Sequence, residues 1–210
     1  MATEVTNHAI TYPDGFIVNN MVSNSAGIET TKLETRTAQV FPVPLTAGKV
    51  WDSVDSNLPS AAANDDLGII TGTWGTDSPT IQAGDIGGTN STRYGVWEVP
   101  VPQNYKDGDT FIIRVRGGML TTVADTSCTV DLEVYAADGS GAVGSDLCQT
   151  SATTINSLTF ANVDFTMDNT GIDPGDRLLV RMAVAYNDSG DAGVMTPEIS
   201  NMEVRCSTRG

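Results

Sequence analysis

Basic residues and histidine are scarce in this sequence. Of 210 residues only 11 are Lys or Arg against 26 Asp or Glu, giving a formal net charge of -15, and the one histidine is His8. A phosphate backbone is bound through clustered Lys and Arg, and no such cluster occurs, so a nucleic-acid partner is excluded. His8, between Asn7 and Ala9, leaves almost no material for imidazole acid–base work or a histidine metal site. Cys128, Cys148 and Cys206 are odd in number and have no close pair, which fits neither a disulfide framework nor a zinc site. Cys128 and Cys206 fall on apolar faces of expected strands, where thiols act as small core residues. No apolar run approaches the length of a membrane span. The opening MATEVTNHAITYPDG has neither the basic region nor the apolar core of a secretory signal, so the chain is expected to be made in a reducing cytoplasm. A G-x-S-x-G elbow is missing, and the glycine-rich runs lack the lysine of a phosphate-binding loop.

What is present is alternation. In Asp109–Tyr135 (DTFIIRVRGGMLTTVADTSCTVDLEVY), Phe111, Ile113 and Val115 alternate with Ile112, Arg114 and Arg116. Then Cys128, Val130, Leu132 and Val134 alternate with Thr129, Asp131, Glu133 and Tyr135. A period of two with one apolar face predicts two strands that cover a core on one side. Leu178, Val180, Met182, Val184 and Tyr186 repeat the pattern after the turn Asp173-Pro174-Gly175-Asp176, and Met202, Val204 and Cys206 repeat it again. Leu158 and Phe160 are out of phase with Val163, Phe165 and Met167, which predicts a bulge or corner. Pro42 and Pro44, and again Pro100 and Pro102, stand two apart. Both missing donors of each pair then lie on one edge, which places these strands at sheet margins. Leu45, Thr46, Val50, Trp51, Val54 and Leu58 have the spacing of a short capped helix closed by Pro59.

Roughly eight or nine strands spaced by turn residues, with one short helix, predict an all-β, antiparallel two-sheet β-sandwich of the jelly-roll type. Residues 1–38, rich in Thr and Asn with short apolar patches, read as an extended N-terminal arm, and 39–210 as the sandwich domain.

Candidate chemistry is thin. Asp131 and Glu133 share a strand face, and Glu98 is a further acid, but a glycosidase pair needs two carboxyls roughly 5 to 10 Å apart across a sugar. Solvated acids in an acidic chain are the simpler reading. Asn187-Asp188-Ser189-Gly190-Asp191 and the stretch from Asp164 to Asp176 supply oxygen ligands of the kind calcium takes, yet Asp and Asn populate turns for their own backbone bonds. No cofactor or metal is assigned. Trp51 and Trp97 are expected in the core, whereas Trp74, between Gly72 and Gly75 with Thr73, is the aromatic expected to be exposed.

Over residues 28–206 the chain resembles the head decoration (cement) proteins of tailed bacteriophages. The likeness lies in FPVPLTAGKVWDS, LPSAAANDDLGI, VPVPQNYKDGDTFIIRVRGGM, TVDLEVYAADGSGAVGSDL and PGDRLLVRMAVAYND. It implies a jelly-roll β-sandwich head, often a homotrimer, set over capsomer junctions with a terminal arm reaching neighbours, and no catalysis. The expected function is a non-enzymatic virion protein on the outer capsid surface, with the major capsid protein and its own copies as partners. Phe16, Ile17, Val18, Met21, Val22, Ile28 and Leu33 of the arm are the expected contacts. The alternative is a carbohydrate-binding or host-adhesion module on a phage appendage or bacterial surface, with Trp74 as the glycan contact.

Overall fold

A computed structural model describes residues 36–84, 87–137, 144–190 and 193–209. The expected contacts of the arm, Phe16, Ile17, Val18, Met21, Val22, Ile28 and Leu33, lie outside the described residues. The chain from Arg36 onward folds into strands β1 (Arg36–Pro42), β2 (Lys49–Val50), β3 (Ser53–Asn57), β4 (Gly68–Ile70), β5 (Thr80–Gln82), β6 (Asn90–Pro100), β7 (Phe111–Met119), β8 (Ser127–Ala137), β9 (Thr153–Thr154), β10 (Ala161–Thr166), β11 (Arg177–Asn187) and β12 (Pro197–Arg209). They form two sheets. One runs β10-β7-β12-β5-β4 with β1 also on β12, and the other runs β3-β2-β6-β11-β8-β9. Every strand pairing among them is antiparallel. The protein is an all-β jelly-roll β-sandwich.

The alternation read from the sequence decides which residues meet between the sheets. Cys128, Val130, Leu132 and Val134 of β8, Leu178, Val180, Met182 and Val184 of β11, and Trp97 and Val99 of β6 are buried from one side. Phe111, Ile113 and Val115 of β7, Phe165 of β10, and Met202 and Val204 of β12 are buried from the other. Each large side chain removed from water in this way contributes about 2 kcal/mol. β7 and β8, neighbours in sequence, belong to opposite sheets, so residues 120–126 carry the chain across the core. The phase change expected near residue 160 is a corner. Leu158 is exposed, β10 begins at Ala161, and Val163 and Phe165 face inward. In β12 a register shift between Ile199 and Asn201 keeps both Ile199 and Met202 on the inner face.

One expectation is corrected. The helical spacing from Thr46 to Leu58 forms only a 3-10 turn, Leu45–Ala47, and Thr46 makes no cap. Residues 49–57 form the β2–β3 hairpin instead. The segment WDSVDSN favours turns and strands over helix, because its Ser and Asp bond the local backbone and its Val is β-branched. Val54 points to solvent at 66% exposure, while Leu45 and Leu58 remain buried. Trp51, expected in the core, is only half-buried, whereas Trp97 is in the core and donates from Nε1 to the Leu45 carbonyl at 3.3 Å.

The prolines sit where the missing donors demand. β1 ends at Pro42 and, among the described residues, pairs only with β12, as an edge strand. β6 pairs with β11 along its whole length, but its other side meets β2 only at Lys49 and Val96, which leaves Pro100 at an open margin.

Candidate functional site

The outer faces of β6, β11 and β8 form a grid fixed by register. Arg181 of β11 stands opposite Val96 of β6 and Glu133 of β8, and the next row holds Glu98, Leu179 and Tyr135. Because side chains alternate, these positions point away from the core while Val180 and Leu178 point into it. Trp51, carried by the β2–β3 turn, leans over the same face with its ring 5.2 Å from that of Tyr94. The Arg181 guanidinium lies 5.5 Å from the Trp51 ring centre and 5.1 Å from that of Tyr94. Its Nη2 also donates to Glu133 Oε1 at 2.5 Å. Tyr135 donates its hydroxyl to Glu133 Oε2 at 3.2 Å, and Trp51 Nε1 donates to Asp65 Oδ2 at 3.0 Å. Cation–π contact and charge-assisted hydrogen bonds together fix the rings.

Two depressions of about 440 and 610 Å³ adjoin on this face and share Val96 and Leu179. The first holds Trp51, Glu133, Tyr135 and Arg181, and the second holds Lys49, Val54, Glu98 and Arg177. Together they make a trough that crosses the strands from β8 to β3, roughly 19 Å at one interstrand spacing per step. Its floor is apolar, the smaller depression is flanked by the rings of Trp51 and Tyr135, and its charged groups are Lys49, Glu98, Glu133, Arg177 and Arg181. Lys49 donates to Asn57 Oδ1 at 2.6 Å, and Arg177 faces Glu98 at 3.4 Å with both side chains more than half exposed. Burial, with Glu133 beside it, raises the pKa of the Tyr135 hydroxyl.

The acids singled out by sequence divide between roles. Glu133 belongs to the trough and is neutralised by Arg181, and Glu98 is paired with Arg177. Asp131 lies one row away, opposite Ala183, with its pKa raised by burial and partly restored by the Leu132 N–H. Of the acids considered for calcium, Asp168, Asp176 and Asp188 accept from backbone N–H groups, and Asp191 lies outside the described residues. Asp188 is buried and accepts from the N–H groups of Gly88 at 3.3 Å and Asp125 at 2.9 Å, tying three loops together. Asp164 makes a two-pronged pair with Arg114, at 2.5 and 2.7 Å. Asp168 caps the 3-10 turn Asn169–Gly171. Among the described residues no group of three or more His, Cys, Asp or Glu could hold a metal ion, and none of their helices is long and apolar enough to cross a membrane.

Trp74 is fully exposed, on the turn between β4 and β5, and is not among the residues lining the trough. The turn is tightly built. Gly72 and Gly75 have φ of 61° and 81°, and Asp77 Oδ2 accepts from the Thr73 N–H at 2.7 Å.

Lys49, Tyr94, Val96, Tyr135, Arg177, Leu179 and Arg181 were not singled out from sequence. The signal available was the outward half of each alternation, where Arg177, Leu179 and Arg181 stand at every second residue of β11.

No protein-family model and no curated protein matches the chain. Solved structures that it is similar to include the CBM22-1 xylan-binding domain from Paenibacillus barcinonensis Xyn10C, at 8% identity over 82% of this chain and 96% of that one, with a TM-score of 0.41. The xylan-binding module CBM15 aligns at 14% identity over 83% and 100%, with a TM-score of 0.44. The CBM22-2 xylan-binding domain of the same Xyn10C aligns at 9% over 80% and 98%, with a TM-score of 0.42.

Proposed function

We propose that the chain is a non-enzymatic attachment module that holds a saccharide in the trough across the outer face of β6, β11 and β8. The observation that carries this reading is the pairing of a preassembled ring platform with an apolar floor and charged sides. A sugar ring offers a C–H face that packs on Trp51, Val96 and Leu179, and a rim of hydroxyls that hydrogen-bond to Arg181, Glu133 and Tyr135. The trough is open, so a chain longer than the contact lies across it without being enclosed. The carboxylates that line it are engaged by arginines, which suits holding a ligand better than general acid catalysis. Trp74 provides a second stacking surface outside the trough. A screen over neutral and acidic oligosaccharides followed by titration calorimetry tests the reading. Saturable binding that disappears in Trp51→Ala is expected, and silence across the screen overturns it.

A second reading is capsid decoration, favoured by the resemblance over residues 28–206 and by one margin of the sandwich. There Phe41, Pro42, Pro44, Pro100, Pro102 and Val204 line an apolar cleft of about 280 Å³. Prolines bar strand addition at such a margin, so a partner docks there through side chains. A homotrimer on the outer virion surface, reaching the major capsid protein through the arm, would stabilise the assembled shell by binding it alone, with three weak contacts acting together. Co-sedimentation with assembled capsids tests this, and retained occupancy after deletion of residues 1–36 removes the arm from the account.

A further inference from the structure

In the trough three basic side chains stand with two acids, Glu98 and Glu133. The chain has only 11 basic residues, yet Lys49, Arg177 and Arg181 all line this one feature. Arg181 is held in place by Glu133 and the two rings. The other two are not held in that way. Lys49 meets a neutral amide, Asn57 Oδ1, and Arg177 shares a single 3.4 Å contact with an exposed Glu98. An exposed ion pair of that kind is worth little and exchanges readily for a better partner. Both cations border the larger depression, over Val54, Val96 and Leu179.

Resting on the saccharide reading, we propose that Lys49 and Arg177 form an anionic subsite, and that the ligand is a carboxylate-bearing (uronic acid) saccharide. Its ring packs on the Val96–Leu179 floor, and its carboxylate takes the Arg177 guanidinium from Glu98 and accepts from the Lys49 ammonium. A guanidinium engages a carboxylate through parallel N–H bonds, which gives both energy and orientation. The overall charge of -15 does not forbid this, because fields from charges beyond about 8 to 10 Å are largely screened at physiological salt, leaving the local cations in control. The Trp51–Tyr94–Arg181 end then receives the adjoining sugar of the chain.

The probe is a panel of galacturonate, glucuronate and mannuronate oligomers, each set against its own methyl ester, which keeps the ring and removes the charge. Calorimetry on the full chain is expected to give about tenfold tighter binding for at least one acid form than for its ester. That gap is expected to close in Lys49→Met and Arg177→Met, and to shrink as salt rises. Both residues are at the surface, and unchanged circular dichroism and melting temperature in each variant confirm that the sandwich is intact. Equal or tighter binding of the esters overturns the anionic subsite while leaving the saccharide reading in place, provided that binding still needs Trp51. If neither form binds but another neutral glycan does, the subsite is likewise overturned. Silence toward every glycan removes both.

Discussion

Gly48 lies against the indole of Trp97. A β-carbon at position 48 would stand 2.7 Å from Trp97 Cζ2 and 2.7 Å from Leu58 Cδ1. Its φ of -62° is ordinary, so the demand for glycine comes from this contact and not from backbone strain. Gly48→Ala must push Trp97 or Leu58 aside, at a cost of about 1 to 3 kcal/mol. A lowered urea midpoint at unchanged slope is the expected measurement, with Lys49→Ala as the neutral neighbour.

The tryptophans separate fold from surface. Trp97→Ala leaves a hole in the core and is expected to cost about 3 to 5 kcal/mol. Trp74→Ala changes stability by less than about 0.5 kcal/mol, since the ring touches little but water. Trp51→Ala removes a partly buried ring that also holds Arg181, so an intermediate loss of stability accompanies the loss of saccharide binding. Thermal melts and calorimetry on the three variants distinguish these roles.

The regular part of the fold was legible in the residues, and the trough was not. β8 and β11 declare themselves because each inward position is apolar and nearly every outward one is small, polar or charged. The β2–β3 hairpin was misread because Val50, Trp51, Val54 and Leu58 fit a helical stripe as well as a turn, and only Val54 facing water separates the two. The trough depends on which outward residues become neighbours. That is set by the pairing of Arg181 with both Val96 and Glu133, on strands far apart in sequence. β9, two residues long, has no periodicity to detect.

Two aspartates give opposite pH signatures. Hydrogen bonds from Arg114 hold the Asp164 carboxyl below its ordinary 3.8. A depressed folded value means stability that is present above 3.8 and lost as pH falls through the lower folded value. With the carboxylate partly exposed, the effect is about 0.5 kcal/mol after solvent screening. Asp131 is raised, chiefly by burial, so its folded form keeps a proton longer and stability declines as pH rises from 3.8. Urea titrations between pH 2.5 and about 7 should show Asp164→Asn losing part of the acid limb. Asp131→Asn should gain slightly at neutral pH.

The thiols should be silent in the native protein. Burial pushes Cys128 up to about 12, and chiefly burial pushes Cys148 up to about 11, while Cys206 is raised by the same cause. Thiolate, the reacting species, is therefore minute at pH 8. Titration with a chromogenic disulfide is expected to count almost no thiol in buffer and all three in denaturant.

Asp188→Ala strips the acceptor from the N–H groups of Gly88 and Asp125. Leaving such donors without a partner costs about 1 to 3 kcal/mol. Faster amide exchange at residues 87–89 and 125–126, with the sheet amides unchanged, is the expected readout.

β1 and β12 run side by side so that Arg36 is opposite Arg209, at one corner of the sandwich. A pull applied between those two points would load their hydrogen bonds one after another, like a zipper, and peel β1 away at low force. Tension entering through Arg209 and leaving through a ligand in the trough would bypass that seam and cross the packed sheets. Held instead at Arg36 and Arg209, the molecule can yield by one strand, with the sandwich behind it still whole.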